Sequence, residues 1–175
     1  VLSPYIDVDQ TTYTVDQLVT DVLIDSPCAA VSNINWSTGS NYGQENGIGY
    51  FSAIPGAFPF ESGIVLNSGD AMEAEGPETG TQSSGGWPGD ADLENAIPAL
   101  NANDSNDASF IQFDFVPIAN SISFDFLFAS EEYGGFQCSF TDAFAFLLTD
   151  LTTGVTTNLA LVPGTTDVVS VFTVR

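Results

Sequence analysis

The sequence predicts an all-β protein, a jelly-roll-like β-sandwich with one short N-terminal helix. Three observations carry that expectation. Apolar residues recur at every second position in several short runs, most clearly Ile111, Phe113, Phe115 and Phe124, Phe126, Phe128, and a period of two puts such residues on one face of a strand. Turn chemistry separates the runs, at Pro55-Gly56, residues 117–120, residues 150–154 and Pro163-Gly164. Only one stretch has helical spacing. Many short strands broken by turns argue for stacked antiparallel sheets.

In chain order, residues 1–12 read as an extended lead-in. The helix follows. Thr14 is its N-cap and Gln17 completes a capping box, with Tyr13 and Leu18 placed for a hydrophobic staple. Val15, Leu18, Val19, Val22 and Leu23 make one apolar stripe that faces the core. The helix is expected to end near Asp25, before Pro27. Residues 30–36 read as a strand, 37–49 as a Gly/Asn/Ser-rich loop, and Gly49-Tyr50-Phe51 as the start of a short strand. Residues 63–70 read as a buried strand running into a tight turn.

Residues 72–109 are poor in apolar side chains and rich in Gly, Pro, Asp, Glu and Asn, the composition of a long functional or mobile loop. Asp90-Ala91-Asp92-Leu93-Glu94 starts like a helix–loop–helix calcium loop. Its sixth position is Asn95 instead of Gly and its twelfth is Asn101 instead of Glu, so that motif is absent. Residues 111–115 and 122–128 are expected to pair as a hairpin. Phe144, Phe146 and Leu148 make a further strand, and residues 155–161 and 168–174 two more. No repeat or linker divides the 175 residues, so a single domain over 1–175 is expected, truncated at its C-terminal end.

The stretch 124–148, FDFLFASEEYGGFQCSFTDAFAFLL, organises this reading. Its two Phe-rich ends are expected to bury the core. The polar loop between them carries Glu131, Glu132, Tyr133 and Asp142, acidic groups at the mouth of a β scaffold.

Charge narrows the function. The chain has 23 acidic residues, one basic residue and no His, a net charge of −22. Salt bridges cannot balance that charge, and self-repulsion disfavours the compact state unless cations or salt offset it. Nucleic acid is a poor partner, because phosphate binding needs Lys and Arg. Without His there is no Ser–His–Asp triad and no imidazole ligand. Without Lys there is no Schiff base. What remains is carboxylate chemistry, with or without a hard cation. No apolar run is long enough to span a membrane, so direct membrane insertion is not expected.

Cys28 and Cys138 stand far apart in the chain. A disulfide closing roughly a hundred residues is worth up to about 4–5 kcal/mol in the chain-entropy model. Two buried free thiols are the alternative. The acidic, Lys-free, Asn/Thr/Ser-rich composition looks extracellular and favours the bridge.

GIVLNSGDA (63–71), GDADLE (89–94), FIQFDFVP (110–117), ISFDFLFASEEYGGFQCSFTDAFAFLL (122–148) and NLALVPGT (158–165), with the opening YTVDQLVTDVLI and CAAVSNI, resemble the choice-of-anchor L domain. The resemblance covers most of residues 10–170, and FASEEY…DAFAF is its most specific part. This chain has Thr141 where that family often has Asn, and the family domain continues past the point where this chain stops. The resemblance implies a module of large secreted or surface proteins of bacteria, notably Bacteroidetes. Many such proteins resemble cargo of type IX secretion, and some look like adhesins or gliding-associated proteins. It implies no catalytic activity.

The expected function is a non-enzymatic extracellular or cell-surface module, an adhesin or surface-filament component stabilised by calcium. Its partners would be other surface-protein subunits or an extracellular glycan or protein. Ca²⁺ takes six to eight oxygen ligands. Glu131, Glu132 and Asp142 on one loop are the first candidates, with Asp70, Asp90 and Asp92 to complete the shell. The alternative is a carbohydrate-binding module, with Trp36, Trp87, Tyr50 and Tyr133 as stacking platforms; a glycosidase using two carboxylates is a lesser alternative.

Overall fold

A computed structural model of the chain describes residues 5–24, 30–77, 86–98, 100–119, 121–136 and 139–174. The chain divides into two compact units, Val1–Pro88 with Asn106–Phe124, and Gly89–Ser105 with Asp125–Arg175. Both are built mainly from antiparallel strands, and the protein is all-β.

The first unit carries β1 (Ile6–Asp9), α1 (Val15–Gln17), β2 (Ala30–Ser37), β3 (Ile48–Ala53), β4 (Ser62–Leu66) and β5 (Phe110–Val116). The capping box forms as expected: Gln17 N–H donates to Thr14 Oγ1 at 3.2 Å and Thr14 N–H to Gln17 Oε1 at 2.9 Å. The helix then widens into a π-helical turn over Leu18–Leu23, with Ile24 N–H reaching back to the Val19 carbonyl. Leu18 and Val19 from the predicted stripe are buried.

Strands β1, β3 and β4 make one sheet in the order β1-β3-β4. Ile6 and Val8 of β1 join Phe51 and Ala71 in a core cluster flanked by Phe58, Phe60 and Val65. The lead-in expected at the N-terminus is therefore a working strand. Phe51 packs edge-on to Phe58 at 5.7 Å. It lies opposite Gly63 in the β3–β4 register, where a Cβ would come within 2.8 Å of its ring. Strand β2 pairs with β5 through a bulge between Ser32 and Asn35, where Asn33 has a φ of 53° and donates to Asp114 Oδ2.

Thr38 ties this unit together. It is fully buried, and its Oγ1 accepts Gly47 N–H at 2.6 Å. The same oxygen meets Ser109 Oγ at 3.0 Å, and Ser109 donates to the Asn67 carbonyl at 2.7 Å. Four distant segments thus meet at two hydroxyls. Gly47 is required there, since a Cβ would stand 2.1 Å from Asn67 O and 2.3 Å from Ser109 Oγ.

The second unit carries α2 (Ala91–Ala96), β6 (Ala143–Phe144), β7 (Leu147–Asp150), β8 (Val155–Asn158) and β9 (Val169–Ser170). Strand β6 pairs with β9 and β7 with β8. The loop expected over 72–109 is more structured than its composition implies. Asp70 caps a 3-10 turn at Ala71–Glu75, and Asp90 caps α2.

Two expectations fail. The hairpin between 111–115 and 122–128 does not form: β5 pairs with β2, and residues 121–130 make no strand among the described residues. The alternation itself survives, with Phe124, Phe126 and Phe128 half-buried between exposed neighbours. A period of two reports which face is sheltered; it does not choose a ladder partner. The phenylalanine-packed core is also revised. Phe51 alone among the phenylalanines is buried, and the fully shielded large side chains are Trp87, Ile97, Val19, Val169 and Val171. No helix among the described residues is long and apolar enough to cross a membrane.

Two substitutions test the hydroxyl junction. Thr38→Val is nearly isosteric and leaves Gly47 N–H buried without its acceptor, an expected loss of about 1–3 kcal/mol. Gly47→Ala forces a methyl group against backbone and is expected to cost roughly 3 kcal/mol or more. Urea unfolding reads both as lower midpoints at unchanged slope. Wild-type midpoints for both variants would contradict this account of the junction.

Candidate functional site

The loop over residues 130–142 lies wholly in the second unit, and its base is fixed by Ser130. That hydroxyl donates to Asp142 Oδ2 and accepts Glu132 N–H at 3.1 Å. A single short side chain thereby holds the two ends of the loop together. Turn hydrogen bonds run within it, from Phe136 N–H to the Glu132 carbonyl and from Ser139 and Phe140 N–H to the Phe136 carbonyl. Beyond the loop, the Asp142 carbonyl accepts Val171 N–H at 3.0 Å, and Ala143 pairs with Ser170 as β6 meets β9. Val171 is fully buried. Asp142 is thus held from both sides.

Glu132 is the anomaly. Its Oε2 is shielded from solvent and has no hydrogen-bond partner among the described residues, and the same holds for Thr141 Oγ1. Burial raises the Glu132 carboxyl above its ordinary value, and the charges of Asp142 and Glu131 raise it further. Tyr133 is raised too, by burial and then by Asp142. A shielded carboxylate oxygen facing like charge is unfavourable unless a proton or a cation joins it.

The donors available are carboxylate, hydroxyl and carbonyl oxygens, which suit a hard cation such as Ca²⁺ and not a soft metal. Among the described residues, no three His, Cys, Asp or Glu side chains gather as a metal-holding group. A cation here would take few carboxylates and complete its shell with carbonyls, hydroxyls and water, as Ca²⁺ tolerates.

The other predicted ligands have local duties. Asp70, in the first unit, accepts Met72 N–H and the Gln10 amide, both at 3.0 Å. Asp90 accepts Leu93 N–H at 2.8 Å as the cap of α2, and Asp92 is exposed on the first turn of that helix. Cys28 and Cys138, with the predicted disulfide, lie outside the described residues.

Among the candidate sugar platforms, Trp87 is removed, being buried with its indole N–H on the Ala108 carbonyl at 3.0 Å. Trp36 is half-buried on β2, and Tyr50 packs against Tyr13 at 4.9 Å. Tyr133 is exposed.

Sequence reasoning gave no role to Ser130, Thr141 or Glu94. Ser130 and Thr141 are hydroxyls next to the acidic positions, and their adjacency to Glu131 and Asp142 was the available signal. Glu94 accepts Asn103 N–H, Ser105 N–H and Ser105 Oγ, an arrangement that closes the 94–105 loop. Those bonds hold its carboxyl below the ordinary value, the Ser105 hydroxyl contributing most.

A family model described as the choice-of-anchor L domain matches residues 7–175. No curated protein and no solved structure matches the chain.

Glu94 and Glu132 should titrate with opposite signs. A lowered carboxyl contributes stability above its unfolded value and loses it as pH falls through the folded value. Glu94→Gln should therefore lower the melting temperature at pH 7, with the gap to wild type closing on acidification. A raised carboxyl contributes its stability at low pH and loses it as pH climbs through the folded value. In chelator, Glu132→Gln should melt above wild type at pH 7, and that gap too should close in acid. Parallel melts across pH check both signs.

Proposed function

The chain belongs to the choice-of-anchor L domain family, whose members are secreted or surface-associated, and from that premise we propose a non-enzymatic extracellular module steadied by Ca²⁺. Its role is that of an adhesin or a surface-filament component, with other surface-protein subunits or an extracellular protein or glycan as partners. The observation that carries the calcium reading is the shielded, unpartnered Glu132 Oε2 beside Asp142, in a chain of net charge −22. Glu132 and Asp142 would hold the ion, with the Thr141 hydroxyl, carbonyls and water as further oxygen donors. The bound ion would supply positive charge that the chain itself lacks, offsetting the repulsion at the base of the loop.

The non-enzymatic reading rests on the residue inventory. The sequence has no His and no Lys. The carboxylates at 130–142 are tied into a loop base: Asp142 is held by Ser130, and the Glu132 backbone by the same hydroxyl. Binding on a glycan array would identify the partner as a glycan, and its absence would leave a protein partner.

Calcium at a hundredfold excess over its Kd should raise the melting temperature by about 5–10 °C. Mg²⁺ should do less, because it demands near-ideal octahedral geometry. Asp142→Asn and Glu132→Gln should each lose the response. Identical wild-type melts in chelator and in Ca²⁺ would exclude the calcium assignment.

A further inference from the structure

The outer part of the same loop presents aromatic surface. Phe136 is 47% exposed and Phe140 61%, and their rings stand 6.2 Å apart at 58°. Tyr133 is 39% exposed one turn earlier. The Ser139 and Phe140 N–H groups both donate to the Phe136 carbonyl, at 2.7 and 3.1 Å. Such a group of aromatic faces in water is the kind of patch that marks an interaction surface. The rings have carboxylates as sequence neighbours at Glu131, Glu132 and Asp142, and Asp142 acts on Tyr133.

Charge decides what covers it. A second copy of this chain would bring the same −22, and an anionic membrane would also be repelled. Exposed aromatic faces on a chain of net charge −22 suit an organic cation, which takes ring attraction from the faces and long-range attraction from the acidic chain. Arginine suits such a surface better than lysine, because its planar guanidinium both stacks and pairs. We propose that the exposed rings of Tyr133, Phe136 and Phe140 dock an arginine-bearing segment of another protein, with Phe136 and Phe140 as the stacking platforms. The inference deepens the surface-module reading by naming the partner's chemistry, and it does not depend on the calcium assignment.

Titration of residues 1–175 with fluorescent deca-arginine, deca-lysine and deca-glutamate peptides at physiological ionic strength tests it. Deca-arginine should bind, deca-lysine more weakly, and deca-glutamate not at all. The Phe136→Ala/Phe140→Ala variant should bind deca-arginine about fivefold or more weakly. Phe136→Leu/Phe140→Leu, which keeps apolar bulk without rings, should lose the same affinity, and Phe136→Tyr/Phe140→Tyr should retain it. Equal deca-arginine affinity for wild type and the ring-less variants would reduce the effect to bulk charge attraction and overturn the proposal. So would ring-dependent self-association in sedimentation, or binding to neutral lipid vesicles instead of deca-arginine. The calcium melt, repeated on the ring variants, should match wild type, so docking and metal binding can fail separately.

Discussion

The whole structure works under a shortage of cations. With 23 acidic residues and one basic residue, almost no carboxylate can find an ion-pair partner in its own chain. Their partners are neutral donors. Asp9 takes the backbone and hydroxyls of Thr11 and Thr12, and Asp150 takes the N–H groups of Thr152 and Thr153. Asp70 and Asp90 cap helical turns, Glu75 takes the N–H of Val8, and Asp107 takes that of Trp87. Hydrogen bonds to a carboxylate favour its charged form. Asp9 is accordingly held well below the usual carboxylate range, and Glu94 and Asp150 are lowered as well. The acids are the clasps of the turns as well as the source of the charge.

That division of labour makes Glu132 conspicuous. Its backbone is held by Ser130, but its shielded Oε2 has no donor among the described residues and faces like charge. Asp9, Glu94 and Asp150 are each answered by a threonine, a serine or a backbone N–H. Here the available hydroxyl, Ser130, is already committed to Asp142. The base of the loop is where an external cation has most to offer, and its aromatic face is where a cationic partner has most to grip. Both readings arise from the same imbalance.

Much was legible locally. The Thr14–Gln17 box, the strands near 30–36 and 49–51, and the turn at 150–154 depend on neighbours in sequence, and they form as read. The acids at Glu131, Glu132 and Asp142 could be read off the chain, but the Ser130 hydroxyl that joins Asp142 to the Glu132 backbone could not. The errors came at long range. The Phe124–Phe128 alternation predicts a sheltered face correctly and a hairpin wrongly: β5 pairs with β2, and residues 121–130 form no ladder among the described residues. Trp87 looked like a sugar platform, yet it is buried by contacts with residues 107–108, twenty positions away.

By itself the sequence determined the all-β class, the family and the electrostatic problem, because periodicity, local motifs and charge are properties of the chain before it folds. Only the tertiary structure decided which strand pairs with which and which acids are already satisfied. It also decided which aromatics face water. Each of those depends on hydrogen bonds and packing between residues distant in the chain, such as Thr38 with Ser109 and Ser130 with Asp142. No local pattern encodes where a donor will find its acceptor.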